Sequence, residues 1–436
     1  MHIISRDEAR RAHRRVLAAG IAGNVMEWYD FAVYGYFART IGRLYFPTES
    51  QTASLLAAFG VFAVGFLMRP LGAVIFGHIG DRVGRGPALL LSVIAMAVPT
   101  FAIGLLPTYA EIGAAASPLM LLCRILQGLA VGGEFTGSAV FLAETAEPGK
   151  RGQAAAWATF GAVAGILLGS AVGAAVMNAL PLEQVVAWGW RVPFLFGVLV
   201  GGVGFLIRLR MPFDKPAATE KFPLAHALRD HPRELLQVVG ICLANAAGFY
   251  LVFVYIVTWL KLYAGVSASV ALQINSANMA AMLGVILLAA RLSDRIGRKP
   301  VLAGSALGLL LLAWPLMALM QTGDIAAVFL GQLGFAVLVG AYVAVNPIAI
   351  CEIFPRAVRC SAVSTAYNIT LGVVGGTAPF VATWLIEQTA YPLAPALYIM
   401  LGAGLSAAAA LSVRDSSRQA MEEPAAPLAT ATGSGA

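Results

Sequence analysis

The sequence predicts an all-α polytopic membrane protein with twelve transmembrane helices arranged as two parallel six-helix repeats. Three observations point there: an apolar composition, apolar segments about twenty residues long that recur along the chain, and a charged motif that returns in the second half. Of 436 residues, 59% are hydrophobic and 12% charged, and the mean hydropathy is +0.80. A water-facing surface needs more charge than this, so lipid is the main solvent. The net charge of +7 does not call for nucleic acid as a partner, because the basic residues fall in short connections between apolar stretches, where membrane orientation places them. Cys123, Cys242, Cys351 and Cys360 stand singly, with no spacing that suggests disulfides or a metal site.

Crossing about 30 Å of hydrocarbon takes roughly 20 apolar residues. Segments of that kind lie near 16–41, 54–76, 88–107, 118–143, 153–178, 192–209, 235–260, 269–291, 301–320, 325–350, 361–387 and 392–413. The basic N-terminus with Arg6, Arg10, Arg11, Arg14 and Arg15 precedes the first segment without a small-residue cleavage site, so that segment reads as a retained helix. Of the 29 Lys and Arg, 23 fall in the N-terminus, the even-numbered connections and the C-terminus; Arg39, Arg43, Arg191 and Lys261 lie in the odd connections, and Arg69 and Arg124 within helices. The bias places both termini in the cytoplasm. The organisation that follows is an N-terminal half over 1–209, a proline-bearing cytoplasmic linker over 210–234, a C-terminal half over 235–413 and a polar, disordered tail over 414–436.

The halves repeat one another. GHIGDRVGRGP at 77–87 returns as ARLSDRIGRKP at 290–300; Glu144 and Arg151 match Glu352 and Arg359; and NVMEWYDFAVY at 24–34 aligns with NAAGFYLVFVY at 245–255. The first motif and its copy six helices later resemble the major facilitator superfamily. GNVMEWYDFAVYGYF at 23–37, GFLMRPLG at 65–72, LLCRILQGLAVGGEFTGSAVFLAE at 121–144 and WGWRVPF at 188–194 resemble its metabolite:proton symporter branch, with a likeness to proline/glycine-betaine carriers at 132–138 and 364–387. Di- and tricarboxylate or shikimate carriers are the alternative. The resemblance implies a bacterial inner-membrane monomer that takes up a small zwitterionic or anionic metabolite with protons, by alternating access around a cavity lined by helices 1, 4, 7 and 10. Helix 5 lacks the Gly-Pro pair typical of drug:proton antiporters in this superfamily, which favours uptake over export. Its glycines Gly161, Gly165, Gly169 and Gly173 form a ridge for close helix packing.

Ionisable groups inside a bilayer cost at least about 2.5–3.5 kcal/mol each, so each needs a reason. Glu27 and Asp30 share one face of helix 1 with Tyr34, and Arg124, Gln127, Val131, Glu134 and Ser138 make one stripe of helix 4. Arg124 and Glu134 are roughly 15 Å apart along the helix and cannot pair. The stripe's repeat counterparts in helix 10 are uncharged, among them Gln332, Tyr342 and Asn346. We therefore expect Glu27, Asp30 and Glu134 to carry protons, and Arg124, Gln127, Tyr34, Asn245, Tyr255, Gln332, Tyr342 and Asn346 to bind substrate, Arg124 through a carboxylate. The bland alternative is a buried network that ties helix 1 to helix 4 and moves nothing. Arg69, before Pro70 at the cytoplasmic end of helix 2, reads as a structural residue that snorkels or caps carbonyls. The hairpin residues Asp81, Arg82, Arg85, Asp294, Arg295, Arg298 and Lys299, in cytoplasmic loops, are expected to gate together with Glu144, Arg151, Glu352 and Arg359, with Arg82 and Arg85 pairing with carboxylates such as Glu144. No phosphate-binding loop, metal cluster or nucleophile constellation stands in the sequence, so we expect no enzyme activity, cofactor or metal.

Overall fold

The computed structural model describes residues 6–82, 85–132, 134–147, 149–209 and 228–415. The linker segment 210–227 and the tail 416–436 lie outside the described residues, as do the side chains of Asp81, Arg82 and Arg85. Among the described residues, twelve long helices run back and forth: α1 (Arg6–Tyr36), α2 (Gln51–Phe76), α3 (Arg85–Leu105), α4 (Tyr109–Glu144), α5 (Arg151–Ala179), α6 (Arg191–Leu209), α7 (Pro232–Tyr263), α8 (Ala268–Ile296), α9 (Arg298–Gln321), α10 (Ile325–Ile353), α11 (Val358–Thr389) and α12 (Ala394–Ser412). Among the described residues nine are long and apolar enough to cross a membrane, ten if the pair Leu182–Gly189 and Arg191–Leu206, bent by 51°, counts as one span. The other two are α1, which carries charges, and α3, whose apolar stretch Leu90–Leu105 is short.

Local chemistry sets the helix starts. Ser50, Ser267 and Asp324 accept from the backbone N–H groups of Ala53, Val270 and Ala327, which opens α2, α8 and α10 at places where donors would otherwise lack partners. The first span ends earlier than the apolar pattern suggests: α1 stops at Tyr36, and a short second helix (Ala38–Tyr45) follows. The α5 glycine ridge meets α1, and a Cβ on Gly161 would sit 2.9 Å from the Ile21 carbonyl oxygen. α7 is π-helical over Asn245–Tyr255. Its wider turns leave carbonyls open to partners: Tyr36 donates to the Phe253 oxygen at 2.8 Å and Gln332 to the Val252 oxygen at 3.0 Å.

The first six helices meet the last six at both ends of the bundle. On the face that carries both termini, Arg359 pairs with Glu144 at 2.6 Å, and Asn368 donates to the Gly132 carbonyl at 2.8 Å. On the opposite face, Asn275 donates to Tyr36 at 2.9 Å and Ser170 to the Leu272 carbonyl at 3.2 Å. Of the buried charges, Glu27, Asp30, Arg69 and Arg124 lie between α1, α2, α3 and α4, while Arg298 and Arg359 lie at the end of the bundle in ion pairs.

Candidate substrate and coupling site

α2 and α4 cross closely enough that a Cβ on Gly128 would overlap the Gly65 carbonyl. This crossing seats Arg124 against α2, where a Cβ on Gly65 would lie 3.2 Å from its Nη2. Arg124 is fully buried, with its guanidinium carbon 4.5 Å from the ring centres of both Phe31 and Tyr34 and 5.5 Å from that of Phe62. Rings around a desolvated cation replace part of its lost hydration.

Arg124 reaches Asp30 through two neutral side chains. Its Nη1 donates to Gln127 Oε1 at 2.8 Å, Gln127 Nε2 donates to Thr100 Oγ1 at 2.7 Å, and Thr100 Oγ1 lies 2.6 Å from Asp30 Oδ2. All four residues are buried. Gln127, expected to bind substrate, is instead engaged on both ends of its amide. In the sequence the one signal of Thr100 is a hydroxyl beside Pro99 in an otherwise apolar run.

Arg69 does not snorkel. Its side chain is 1% exposed and pairs with the equally buried Glu27 at 3.5 Å, and it is too deep to snorkel. Its guanidinium carbon lies 4.1 Å from the ring centre of Phe66, 4.5 Å from that of Phe31 and 5.3 Å from that of Trp28. Phe31 thus touches both arginines. The salt bridge uses Nη1, and the Nε and Nη2 edge has no hydrogen-bond partner among the described residues. That edge is the one a carboxylate grips with two parallel bonds.

Between the halves lies a narrow pocket of about 20 Å³, room for about one water in this conformation, lined by Trp28, Phe135, Thr159, Ala162, Val163, Asn245, Phe249, Val343, Pro347 and Tyr367. Trp28 stands edge-on to Phe135 and Phe249 at 6.1 and 6.3 Å, and Phe135 stacks on Tyr367 at 5.1 Å. Helices α1, α4, α5, α7, α10 and α11 all contribute. Trp28 is the one residue shared by this cavity and the shell around Arg69, whereas none of Arg124's ring or hydrogen-bond partners lines it. Trp28, Phe135, Phe249 and Tyr367 carry no signal in the sequence because single rings in apolar helices look like core; only folding shows that they converge.

Of the C-terminal candidates, Asn245 lines the cavity. Tyr342 and Asn346 both donate to the Ile241 carbonyl, at 2.5 and 3.4 Å. Gln332 binds Asn275 at 2.7 Å, and Tyr255 packs edge-on to Phe59 at 5.7 Å. These four hold α7 in place and do not face the cavity. Tyr34 donates to the Ala58 carbonyl at 3.1 Å beneath Arg124. Glu134 opens the second segment of α4, half-buried, and Ser138 one turn on accepts from Asn24 at 3.1 Å.

On the terminus-bearing face, Asp294 belongs to the last turn of α8 and not to a loop; Gly297 alone separates α8 from α9. Its carboxylate accepts from the backbone N–H groups of Gly152 and Gln153 at 2.8 and 3.0 Å, at the start of α5, where the helix dipole favours an anion. Arg298 pairs with Asp294 at 2.7 Å and with Glu352 at 3.2 Å. Arg151, at the N-terminus of α5, is half-buried near Glu352, while Arg295 is exposed. Glu144 pairs with Arg359; its expected partners, Arg82 and Arg85, have side chains outside the described residues. Arg359 also donates to the Cys351 and Phe354 carbonyls at 2.9 and 3.2 Å, which fixes it at the end of α10.

The sequence profile of the Major Facilitator Superfamily matches residues 18–335 and 240–432. A proline/betaine transporter of Salmonella typhimurium is 33% identical over 426 residues, covering 94% of this chain and 85% of that one. A glycine betaine/proline/ectoine/pipecolic acid transporter of Dickeya dadantii is likewise 33% identical, at 94% and 85% coverage. An ectoine/proline transporter of Corynebacterium glutamicum is 34% identical, at 93% and 85% coverage. Among solved structures, a proton:xylose symporter superposes with a TM-score of 0.73 at 18% identity, over 94% of this chain and 97% of that one. The human organic anion transporter MFSD10 superposes with a TM-score of 0.65 at 17% identity, over 91% and 98%. With a fold of twelve helices in two repeats, a buried charge cluster at its centre and these relatives along nearly its whole length, the chain is a transporter that belongs to the major facilitator superfamily.

Proposed function

We propose that this protein is a proton-coupled importer of a small zwitterion of the proline and betaine class, working as a monomer in a bacterial inner membrane with both termini in the cytoplasm. The observation that carries the reading is the aromatic cavity beside Arg69. Rings hold an alkylated ammonium by cation–π attraction and apolar contact, the Asn245 amide is available to the substrate's polar edge, and the open Nε and Nη2 edge of Arg69 receives its carboxylate. Relatives named for proline, betaine and ectoine support the same chemistry. Asp30 and Glu27 are the carboxylates available to take up a proton, with Glu134 farther along α4.

In this account the Glu144–Arg359 pair and the Asp294 contacts hold the cytoplasmic side shut, and they break as the halves part. Asp81, Arg82 and Arg85 belong to the same gate by the repeat. Asp294→Asn weakens charge-assisted bonds each worth about 1.5–3 kcal/mol, so it is expected to lower turnover several-fold while leaving equilibrium binding nearly unchanged. Lost binding with unchanged turnover per bound substrate would remove Asp294 from the gate.

The reading is tested by uptake into proteoliposomes of labelled proline, glycine betaine, ectoine, 2-oxoglutarate, citrate and shikimate under an imposed pH gradient. Uptake of one or more zwitterions, stopped by a protonophore and indifferent to replacement of sodium by choline, is expected. Preference for the carboxylic acids lacking an ammonium would overturn the substrate class.

A further inference from the structure

Thr100 has one hydroxyl proton and two acceptors within reach: Asp30 Oδ2 at 2.6 Å and the Met96 carbonyl, one turn back on α3, at 2.9 Å. It also receives a hydrogen bond from Gln127 Nε2 at 2.7 Å. With Asp30 ionised, the hydroxyl donates to the carboxylate, and every donor from Arg124 through Gln127 and Thr100 points the same way, towards the anion. Such aligned chains strengthen one another in a dry interior. With a proton on Asp30 Oδ2, that oxygen becomes the donor, and the Thr100 hydroxyl must turn to the Met96 carbonyl. No atom need move by more than a hydroxyl rotation, and no hydrogen bond is lost. What changes is charge: Arg124 keeps its positive charge and loses the anion to which the chain joined it.

We propose that Thr100 is a positioning residue for proton coupling, a hydroxyl switch that, with Gln127, links the protonation state of Asp30 to Arg124. The proposal deepens the symport reading and rests on it for its transport consequence, though not for its chemistry. The groups that face Asp30 are few. α3 presents Thr100; α4 presents Arg124 through Gln127; α6 presents Gly197, where a Cβ would lie 3.2 Å from Oδ1; α1 itself adds Tyr29, which donates to the Pro193 carbonyl at 2.6 Å, and Tyr34. Arg69 on α2 is engaged by Glu27 across Phe31. Oδ1 of Asp30 has no hydrogen-bond partner among the described residues, so Thr100 supplies the hydrogen bond that favours the ionised form.

Removing a bond to the charged form makes protonation easier, and the sign is fixed: the Asp30 titration must move to higher pH. The experiment is infrared difference spectroscopy of the full-length protein in liposomes, titrated with pH. The protonated-carboxyl band of Asp30 is identified by its loss in Asp30→Asn. Thr100→Val, close in shape but without a hydroxyl, should raise the midpoint by about one to two pH units; Thr100→Ser should restore it, and Thr100→Ala serves should the valine variant fold poorly. A midpoint unmoved in both Thr100→Val and Thr100→Ala would overturn the switch. Since this readout needs no substrate, a shifted midpoint in a protein that transports no zwitterion would sink the functional reading and leave the switch standing.

Discussion

Arg69→Gln is expected to weaken substrate binding by at least about 30-fold, the equivalent of about 2 kcal/mol for truncating one member of a buried, hydrogen-bonded charge pair. Arg69→Lys keeps the charge without the planar fork and should lose less. The single change to glutamine also removes the salt-bridge partner of Glu27, now 3.5 Å from the guanidinium. The Glu27→Gln/Arg69→Gln double variant removes both charges and separates folding from binding. The diagnostic arm is chemical. Esterifying the substrate's carboxylate should cost the wild type heavily and Arg69→Gln little, since the pair is already gone. Arg124→Gln should keep the ester penalty: the Nε and Nη2 edge of Arg124 also lacks a hydrogen-bond partner among the described residues, but its partners Gln127, Phe31, Tyr34 and Phe62 all lie outside the pocket lining, whereas Trp28 of the lining touches Arg69. A penalty that vanishes in Arg124→Gln and persists in Arg69→Gln would return the carboxylate to Arg124, where the stripe on helix 4 first placed it.

Asp30→Asn is expected to abolish accumulation while leaving exchange. The side chain keeps its shape and an oxygen that can accept from Thr100, so the fold has little reason to fail. What is lost is the titrating group. One proton per zwitterion supports up to about tenfold accumulation per pH unit of gradient, and a carrier that cannot take up the proton brings inside and outside to about equal concentrations. Accumulation and counterflow of labelled substrate, measured in the same proteoliposomes, distinguish the two. Retained accumulation in Asp30→Asn would move the coupling role to Glu27 or Glu134.

The fold was legible because lipid imposes it. Apolar segments of spanning length and the returning DRxGR motif gave twelve helices and two halves, and only the ends needed the structure. α1 turns at Phe37, and α4 begins at Tyr109 behind a capping box at Thr108 and Glu111 that hydropathy does not register. The buried charges on α1 and α4 were legible for the same reason, since each is costly and conspicuous. Their partners were not. Spacing along one helix says which residues share a face, but the Arg124 to Asp30 link runs through α3, Arg69 meets Glu27 from another helix, and Gly65, Gly72, Gly128 and Gly132 let α2 and α4 touch. The repeat misled in one respect: Gln332, Tyr342 and Asn346 stand where Arg124's stripe would fall, yet they serve α7 carbonyls, Gln332 that of Val252 in the π-helical segment and the other two that of Ile241 in the α-helical turns before it. Aromatic convergence is invisible in sequence because Trp28, Phe135, Phe249 and Tyr367 sit on four different helices.

The central claim is that a zwitterion and a proton cross together at one site, so that each cycle carries net positive charge inward. Current recorded from proteoliposomes on a solid-supported membrane, in sodium-free buffer at equal pH on both sides, tests this most directly. The account predicts an inward positive current on addition of proline or glycine betaine, lost in Asp30→Asn and in Arg69→Gln; uptake of the same substrates with no current, or current that appears only with sodium, would contradict it.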